Sequence, residues 1–413
     1  MQHGINGKHG AVNEGGAQLR RARIGWIALG AISLAAGCGG ETTETSTSGA
    51  GSAGSAGTGA GSASGGGLVA QCAIAMQDVP VSDAAGSTPT VAYAKDHYLV
   101  AWTSTAKDAG DIHVALLDAK GTKLTEQTVA EGLGESSMPS VIPDAGGGFL
   151  VVWQDKAIPG AMVKGRRVDA QGMPQGAAFQ IAQSASAEAR PSAAPALVGA
   201  AIAWSDTTAA TIGTLTGELT VNKTPVDQAT GLALGSFGES FGAAWVSGSQ
   251  VGASRMASPG GPLTPVLFRN AQGKANAPRV AVHEDSTLSV VWEDDRGGDS
   301  KESIYLTRID KSGKAGTEKL IPMSTESANY PDVAWTGSHD AVVYYQYRDG
   351  PPAIYLSLIT PELASKGQDL KVSGDGIAAR YPRIVRTGDA LGTLGIVYAE
   401  KDGKIRASLV ACP

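Results

Sequence analysis

Three cysteines are the residues whose chemistry is easiest to place in this 413-residue chain. A thiol can be acylated, oxidised to a disulfide, bind metal or act as a nucleophile. Cys38 ends an apolar run, while Cys72 and Cys412 stand at the two ends of the rest of the chain. The positions of Cys72 and Cys412 suit a disulfide, and Cys38 belongs to the N-terminal segment. Beyond residue 37 there are four histidines, His97, His113, His283 and His339, with no His-x-x-x-His among them. A zinc site therefore has no support. No phosphate-binding loop occurs. The densest group of functional side chains is the run Glu293-Asp294-Asp295-Arg296 with Asp299, Lys301 and Glu302, and its counterpart Tyr347-Arg348-Asp349. Asp294, Asp295, Arg296, Tyr347, Arg348 and Asp349 are the candidate ligand-binding loop residues, able to line a polar pocket. The competing reading is that these charges pair with one another in solvent. No catalytic residue, metal or cofactor is assigned.

The composition bounds what can position such groups. Glycine is abundant at 56 residues, charged residues make up 17 % and aromatics 5 %, a balance that favours short strands and turns over helices. The formal charge is −6; beyond residue 37, 29 basic residues stand against 38 acidic ones. An acidic chain is a poor partner for nucleic acid, which needs a basic face, and for charge-driven adsorption to anionic lipid.

Arg20, Arg21 and Arg23 precede the 14-residue apolar run from Ile24 to Gly37. The run suits a signal peptide over residues 1–37 and is too short for a transmembrane helix, which needs roughly 20 residues. Its end, Leu34-Ala35-Ala36-Gly37-Cys38, resembles the lipobox of bacterial lipoproteins, with Ala35 where leucine is commoner. The resemblance implies cleavage before an acylated Cys38 and a lipid bilayer as partner. Gly39 rather than Asp after the cysteine favours the outer membrane by analogy. Residues 38–67 are rich in Gly, Ser, Ala and Thr with no large apolar residue, a flexible tether whose root-mean-square reach is roughly 30 Å.

Residues 68–413 carry a repeat. Pro-x-Val-Ala, a short turn, an apolar run and an aromatic residue recur, as in PTVAYAKDHYLVAW (Pro89 to Trp102) and PRVAVHEDSTLSVVW (Pro278 to Trp292). The aromatic positions are 102, 153, 204, 245, 292, 345 and 398, spaced 41 to 53 residues apart. A third run often ends in Asp-x-x-Gly, a hairpin signal, and a weaker fourth run follows. Four short strands per repeat at this period predict an all-β fold: one β-propeller, most simply of seven four-stranded blades. The recurring Trp reads as wedge filler between sheets. Asp155, Asp206, Asp294 and Glu400, two residues after the aromatic, read as acceptors for turn N–H groups. The Pro marks the start of the channel-lining strand.

The repeat resembles those of secreted bacterial proteins with Pro-x-Val-Ala…Val-Val-Trp-x-Asp units, many of them lipoproteins, a resemblance that implies no activity. The Ser-x-Asp-x-Gly-x-x-Trp box of sialidase-type propellers is absent. The chain ends where a third strand would turn into a fourth, and Cys72–Ser82 precedes the first repeat, where a fourth strand belongs. The last blade is thus expected to be closed by the N-terminal strand, with a Cys72–Cys412 disulfide contributing at most about 5–6 kcal/mol. The functional expectation is a monomeric, envelope-anchored binding or scaffold module for a protein or glycan. The alternative is a glycan-active hydrolase or lyase with its site at the channel mouth.

Overall fold

The computed structural model describes residues 72–105, 110–130, 135–156, 160–207, 209–269, 273–296, 301–321, 326–348, 350–388 and 392–412. The expected signal peptide, the tether and Cys38 lie outside the described residues. So does Asp349.

The described residues form seven antiparallel sheets of four strands each and no helix. The first strands of blades 1 to 7 are Gly86–Ala94, Ser136–Pro143, Ser192–Pro195, Thr230–Phe237, Ala275–Val282, Ala328–Trp335 and Ala379–Arg386. Each touches the first strand of the blade on either side, blade 7 reaching back to blade 1. They therefore surround the axis of a closed seven-bladed β-propeller, the architecture that the four-strand repeat predicts.

The second strands explain why their sequences read as continuous apolar runs. Leu288–Asp294 in blade 5 is buried at every position, because a sheet covers each of its faces. Fourth strands lie at the rim and are polar or short, as in Lys123–Ala130 and Leu370–Lys371. The core is divided into seven clusters, one at each interface between neighbouring blades. Trp102, Trp153, Trp204, Trp245 and Trp292 are buried, each packed against the preceding blade. In blade 6 this place is taken by Tyr344, not by Tyr345. Tyr344 pairs with Tyr355 on the third strand as Trp292 pairs with Tyr305, whereas Tyr345 turns to the blade 6–7 interface.

Blade 7 is closed as expected. Its strands Ala379–Arg386, Leu394–Glu400 and Ile405–Ala411 come from the C-terminal end, and its outermost strand, Ala73–Ser82, from the N-terminal end. Ala73 pairs with Ala411, and the adjacent Cys72 and Cys412 form a disulfide across a Cα–Cα distance of 4.2 Å.

Candidate ligand site at the channel mouth

Every first strand except the short one of blade 3 carries a register shift near its start. The residue before the repeat's Pro, or before Leu232 in blade 4, has a left-handed backbone in all seven blades. Thr88, Met138, Arg190, Gly231, Ala277, Tyr330 and Tyr381 have φ between 44° and 59°. Only one of them is glycine, although that region is costly for other residues and disfavoured before proline. Neighbouring blades hold these bulges in place. The residue after the repeat aromatic accepts the N–H of the next blade's bulge residue: Thr103 Oγ1 from Met138 at 3.2 Å, Gln154 Oε1 from Arg190 at 2.9 Å, Glu293 Oε2 from Tyr330 at 3.1 Å. A bulge re-aims its side chain, so the seven bulge residues form a rim where the strands begin.

The rim is uneven. Gly231 and Ala277 place nothing beyond Cβ there, whereas Tyr330 and Tyr381 meet edge-to-face with ring centroids 4.7 Å apart. Tyr345 stacks on Tyr330 at 5.8 Å and meets Tyr347 edge-on at 6.0 Å. Arg380 donates to the Tyr347 hydroxyl at 2.9 Å and lies 6.0 Å from the ring centroids of both Tyr345 and Tyr347. Tyr330 and Tyr347 are each 37 % exposed, so half of this aromatic group faces solvent. Two buried donors beside it, Arg380 Nε and Asn329 Nδ2, have no partner among the described residues.

Two residues further along each strand lies a second ring: Thr90, Ser140, Ser192, Ala233, Arg279, Asp332 and Arg383. Ser140, Ser192 and Asp332 accept backbone N–H groups of the following blade, from Ala193, Leu234 and Ile384, at 3.0 to 3.1 Å. Arg279 and Arg383 cannot accept and depart from the pattern. Burial, and then the cation of Arg383, bring Arg279 down to about 9 against the attraction of Asp332 and Glu293. Burial also brings Arg383 down, opposed by Asp332 and Tyr330. Burial pushes the Glu293 carboxyl up, Glu302 adds to the rise, and the Tyr330 N–H and Arg279 offset it only in part. Burial likewise raises the Tyr330 hydroxyl, helped by Tyr381 and Glu293, while Arg190 from blade 3 acts to lower it. Blades 3, 5, 6 and 7 thus direct arginines, tyrosines and carboxyls toward one end of the channel.

Of the loop residues singled out in the sequence, only Tyr347 belongs to this group. Asp294 is buried and makes a two-pronged bridge with buried Arg269, at 2.7 and 3.1 Å. It also accepts the Trp292 indole N–H at 2.8 Å and binds Arg296 at 2.6 Å. Burial works to raise its carboxyl, yet the hydrogen bonds from Arg269, Arg296 and Trp292 hold it well below the usual range. Arg296 runs back across its own blade, 4.0 Å over the Tyr305 ring and 2.5 Å from Glu318. Arg348 repeats this in blade 6, over Tyr355 at 4.1 Å and paired with Asp369. Asp295 accepts the backbone N–H of Lys274. Arg296 and Arg348 therefore spend their groups inside their own blades, and Asp294 spends its own there and on Arg269, which follows the last strand of blade 4. The rim tyrosines and Arg279, Arg380 and Arg383 were not singled out in the sequence. The usable signal was the variation of the residues flanking each Pro: Ala-Pro-Arg, Tyr-Pro-Asp and Tyr-Pro-Arg in blades 5 to 7.

A Ser-His-Asp group lies at the opposite end of the blade-5 first strand. His283 Nε2 is 2.9 Å from Ser289 Oγ and 3.1 Å from Asp340 Oδ1. Asp340 also accepts directly from Ser289 at 2.8 Å and from Arg308. A nucleophilic relay needs the acid on the other ring nitrogen and an accessible serine. Here serine and acid share one nitrogen, and Ser289 and Asp340 are fully buried, so the group braces the interface between blades 5 and 6.

No family model and no curated protein matches this sequence. Solved structures share the architecture. A protein of unknown function from Dyadobacter fermentans aligns over 83 % of this chain and 100 % of its own, with TM-score 0.53 and 12 % identity. An alpha-L-arabinanase from Penicillium chrysogenum, solved with arabinobiose, aligns over 82 % and 98 % (TM-score 0.50, 10 % identity). An alpha-L-arabinofuranosidase from Fusarium graminearum, solved with an iminosugar inhibitor, aligns over 81 % and 97 % (TM-score 0.51, 11 % identity). At such identities the likeness is one of fold.

Proposed function

We propose that this chain is a monomeric binding module of the bacterial cell envelope, held to the outer membrane by acylated Cys38, that offers the propeller's channel mouth to a glycan. The observation that carries the reading is the half-exposed group of Tyr330, Tyr345, Tyr347 and Tyr381 with Arg380 beside it. Aromatic faces cover the apolar faces of a sugar ring, and the neighbouring Tyr347 hydroxyl and Arg380 guanidinium offer polar groups to its hydroxyls. A glycan array probed with the full chain tests it. Binding to at least one glycan is expected, weakened tenfold or more in Tyr330→Gly, where glycine accepts the left-handed backbone and removes only the ring. An array without any signal, or a variant that binds equally well, refutes the reading. Acylation of Cys38 is checked by metabolic labelling with a fatty-acid analogue, which Cys38→Ser should abolish.

A second reading, glycan hydrolysis, is favoured by one observation: Glu293, pushed toward its protonated form, and Asp332 both act on Arg279. A pair of carboxyls in one neighbourhood is what glycoside cleavage uses. Two of the structures that share this fold are an alpha-L-arabinanase and an alpha-L-arabinofuranosidase. Release of reducing ends from arabinan oligosaccharides, lost in Glu293→Gln, is the outcome this reading requires.

A further inference from the structure

We propose that Arg279 and Arg383 form an anion subsite in the channel wall that takes the carboxylate of an acidic sugar, a uronate, whose ring rests on the rim tyrosines. This deepens the binding reading above and rests on it.

Three observations carry the inference. The first is position. Both arginines occupy the ring one step below the rim, on blades 5 and 7, and flank Asp332 on blade 6. Tyr330 and Tyr381 stand on the adjoining rim positions of blades 6 and 7. A ligand whose ring lies on those tyrosines places a ring substituent at the level of the arginines.

The second is unspent bonding capacity. A guanidinium has five N–H donors. Among the described residues Arg279 makes one hydrogen bond, to the carbonyl of Pro278 at 2.8 Å, and Arg383 makes one, to the carbonyl of Pro382 at 2.9 Å. The nearest carboxylate approach is Asp332 Oδ1, 3.9 Å from Arg279 Nε and beyond hydrogen-bond range. Of the other arginines around them, Arg190 is spent on Glu188, Arg296 on Asp294 and Glu318, and Arg348 on Asp369, while Arg380 is turned to the Tyr347 hydroxyl.

The third is charge. Arg279 and Arg383 are close enough to repel each other, and the carboxylate between them, Asp332, already accepts the Ile384 N–H and stays 3.9 Å from Arg279. At the other end of the same blades, Arg308 is bound to Asp340. A bound anion between the two arginines of the mouth would relieve their mutual repulsion. Arginine pairs a carboxylate with two parallel hydrogen bonds, and the rim tyrosines distinguish a sugar acid from a bare inorganic anion.

The test titrates three probes into the full chain at low ionic strength by calorimetry: tetragalacturonate, its fully methyl-esterified form and inorganic phosphate. The acid form is expected to bind at least tenfold more tightly than the ester, and more tightly than phosphate. That preference should shrink as salt rises, because exposed ionic contacts are screened. Arg383→Gln should reduce acid binding to the level of the ester without lowering the thermal midpoint, since it removes a crowded cation, and Arg383→Lys should restore part of the loss. Equal binding of acid and ester overturns the anion subsite while the channel-mouth reading stands. Phosphate binding as tightly as the uronate overturns the sugar-acid assignment. Ester and acid both failing, with Tyr330→Gly indistinguishable from the parent on a glycan array, removes the underlying reading as well.

Discussion

The aspartate two residues after the aromatic repays attention at the scale of single residues. Asp155 accepts the indole N–H of Trp153 at 2.7 Å, and Asp294 does the same for Trp292 at 2.8 Å. A buried indole needs an acceptor, and the acid supplies it from its own strand. In blade 1 the corresponding residue is Ser104, and the Trp102 indole nitrogen has no partner among the described residues. The sequence pattern marked these acids, and turn N–H groups are indeed bound by Asp206 and Asp294; the bond to the indole was not legible because it depends on the rotamer of the tryptophan. Glu293 yields a prediction at this scale. It does for Tyr330 what neutral Gln154 and Thr103 do in other blades. Its folded-state carboxyl is raised, so the folded chain holds a proton that the unfolded chain has released. That contribution is complete below the unfolded value, about 4.3, and is lost as pH climbs through the raised one. Glu293→Gln keeps an acceptor and does not titrate. Its melting midpoint should match the parent near pH 3 and exceed it increasingly toward pH 7; a constant difference across that range would show that Glu293 is not perturbed.

Individual strands explain which parts of each repeat vary. On the second strand an aromatic faces its pair on the third: Trp102 with His113, Trp153 with Lys164, Trp245 with Gly252, Trp292 with Tyr305. Wide third-strand partners stack on the ring, as His113 does on Trp102 and Tyr305 on Trp292. Gly252 instead yields its space to the indole. A Cβ there would overlap Trp245 Cε2 and stand 2.8 Å from Cζ2, and Trp245 is buried and cannot swing away. Gly252→Ala should therefore cost about 1–3 kcal/mol, as overpacking does, read as a lower urea midpoint with unchanged slope. Gly176→Ala, with nothing within 4 Å of the added carbon, isolates the backbone effect of a left-handed glycine from the clash. The strands themselves were legible from apolar runs and Pro. The bulges were not, because Thr, Met, Arg, Ala and Tyr give no local sign of a left-handed backbone. Hydrogen bonds from the preceding blade impose it, and sequence patterns do not carry contacts made some 35 residues away. The rim was hidden with the bulges, which is why the search for functional groups settled on the loop arginines.

For the molecule as a whole, closure is the decisive contact. Each interface in the ring is an ordinary wedge of packed side chains, but the one through blade 7 joins the two ends of the chain. Three devices hold the N-terminal strand there. Its ladder with Ile405–Ala411 is irregular, with register shifts after Ile74, Met76 and Pro80. Asp78 fills one irregularity: its backbone N–H binds Ser408 at 3.1 Å, and its carboxylate takes the Tyr398 hydroxyl and the Gly374 N–H. Tyr398 holds the aromatic position in blade 7, so the acceptor that other blades find two residues along comes here from the other end of the chain. The third device is the disulfide, which spans a separation of 340 residues. Both cysteines and the strand exchange were legible because only the final repeat lacks a fourth strand; the Asp78 bonds were not, since nothing in the segment marks where its ladder breaks. An irregular ladder leaves much of the closure to the covalent link. Replacing Cys72 and Cys412 by serine should cost about 2–5 kcal/mol. The loss should be uneven, because constraining the unfolded chain is only one part of the disulfide's action. Amide exchange should accelerate first at Ala407 and Leu409, whose partner strand is freed to detach, while Ile202 and Ala203 in blade 3 keep their protection until the ring opens. Uniform acceleration in blades 3 and 7 alike would mean that the disulfide acts through the unfolded state alone and that Asp78 and the ladder suffice to hold the ring shut.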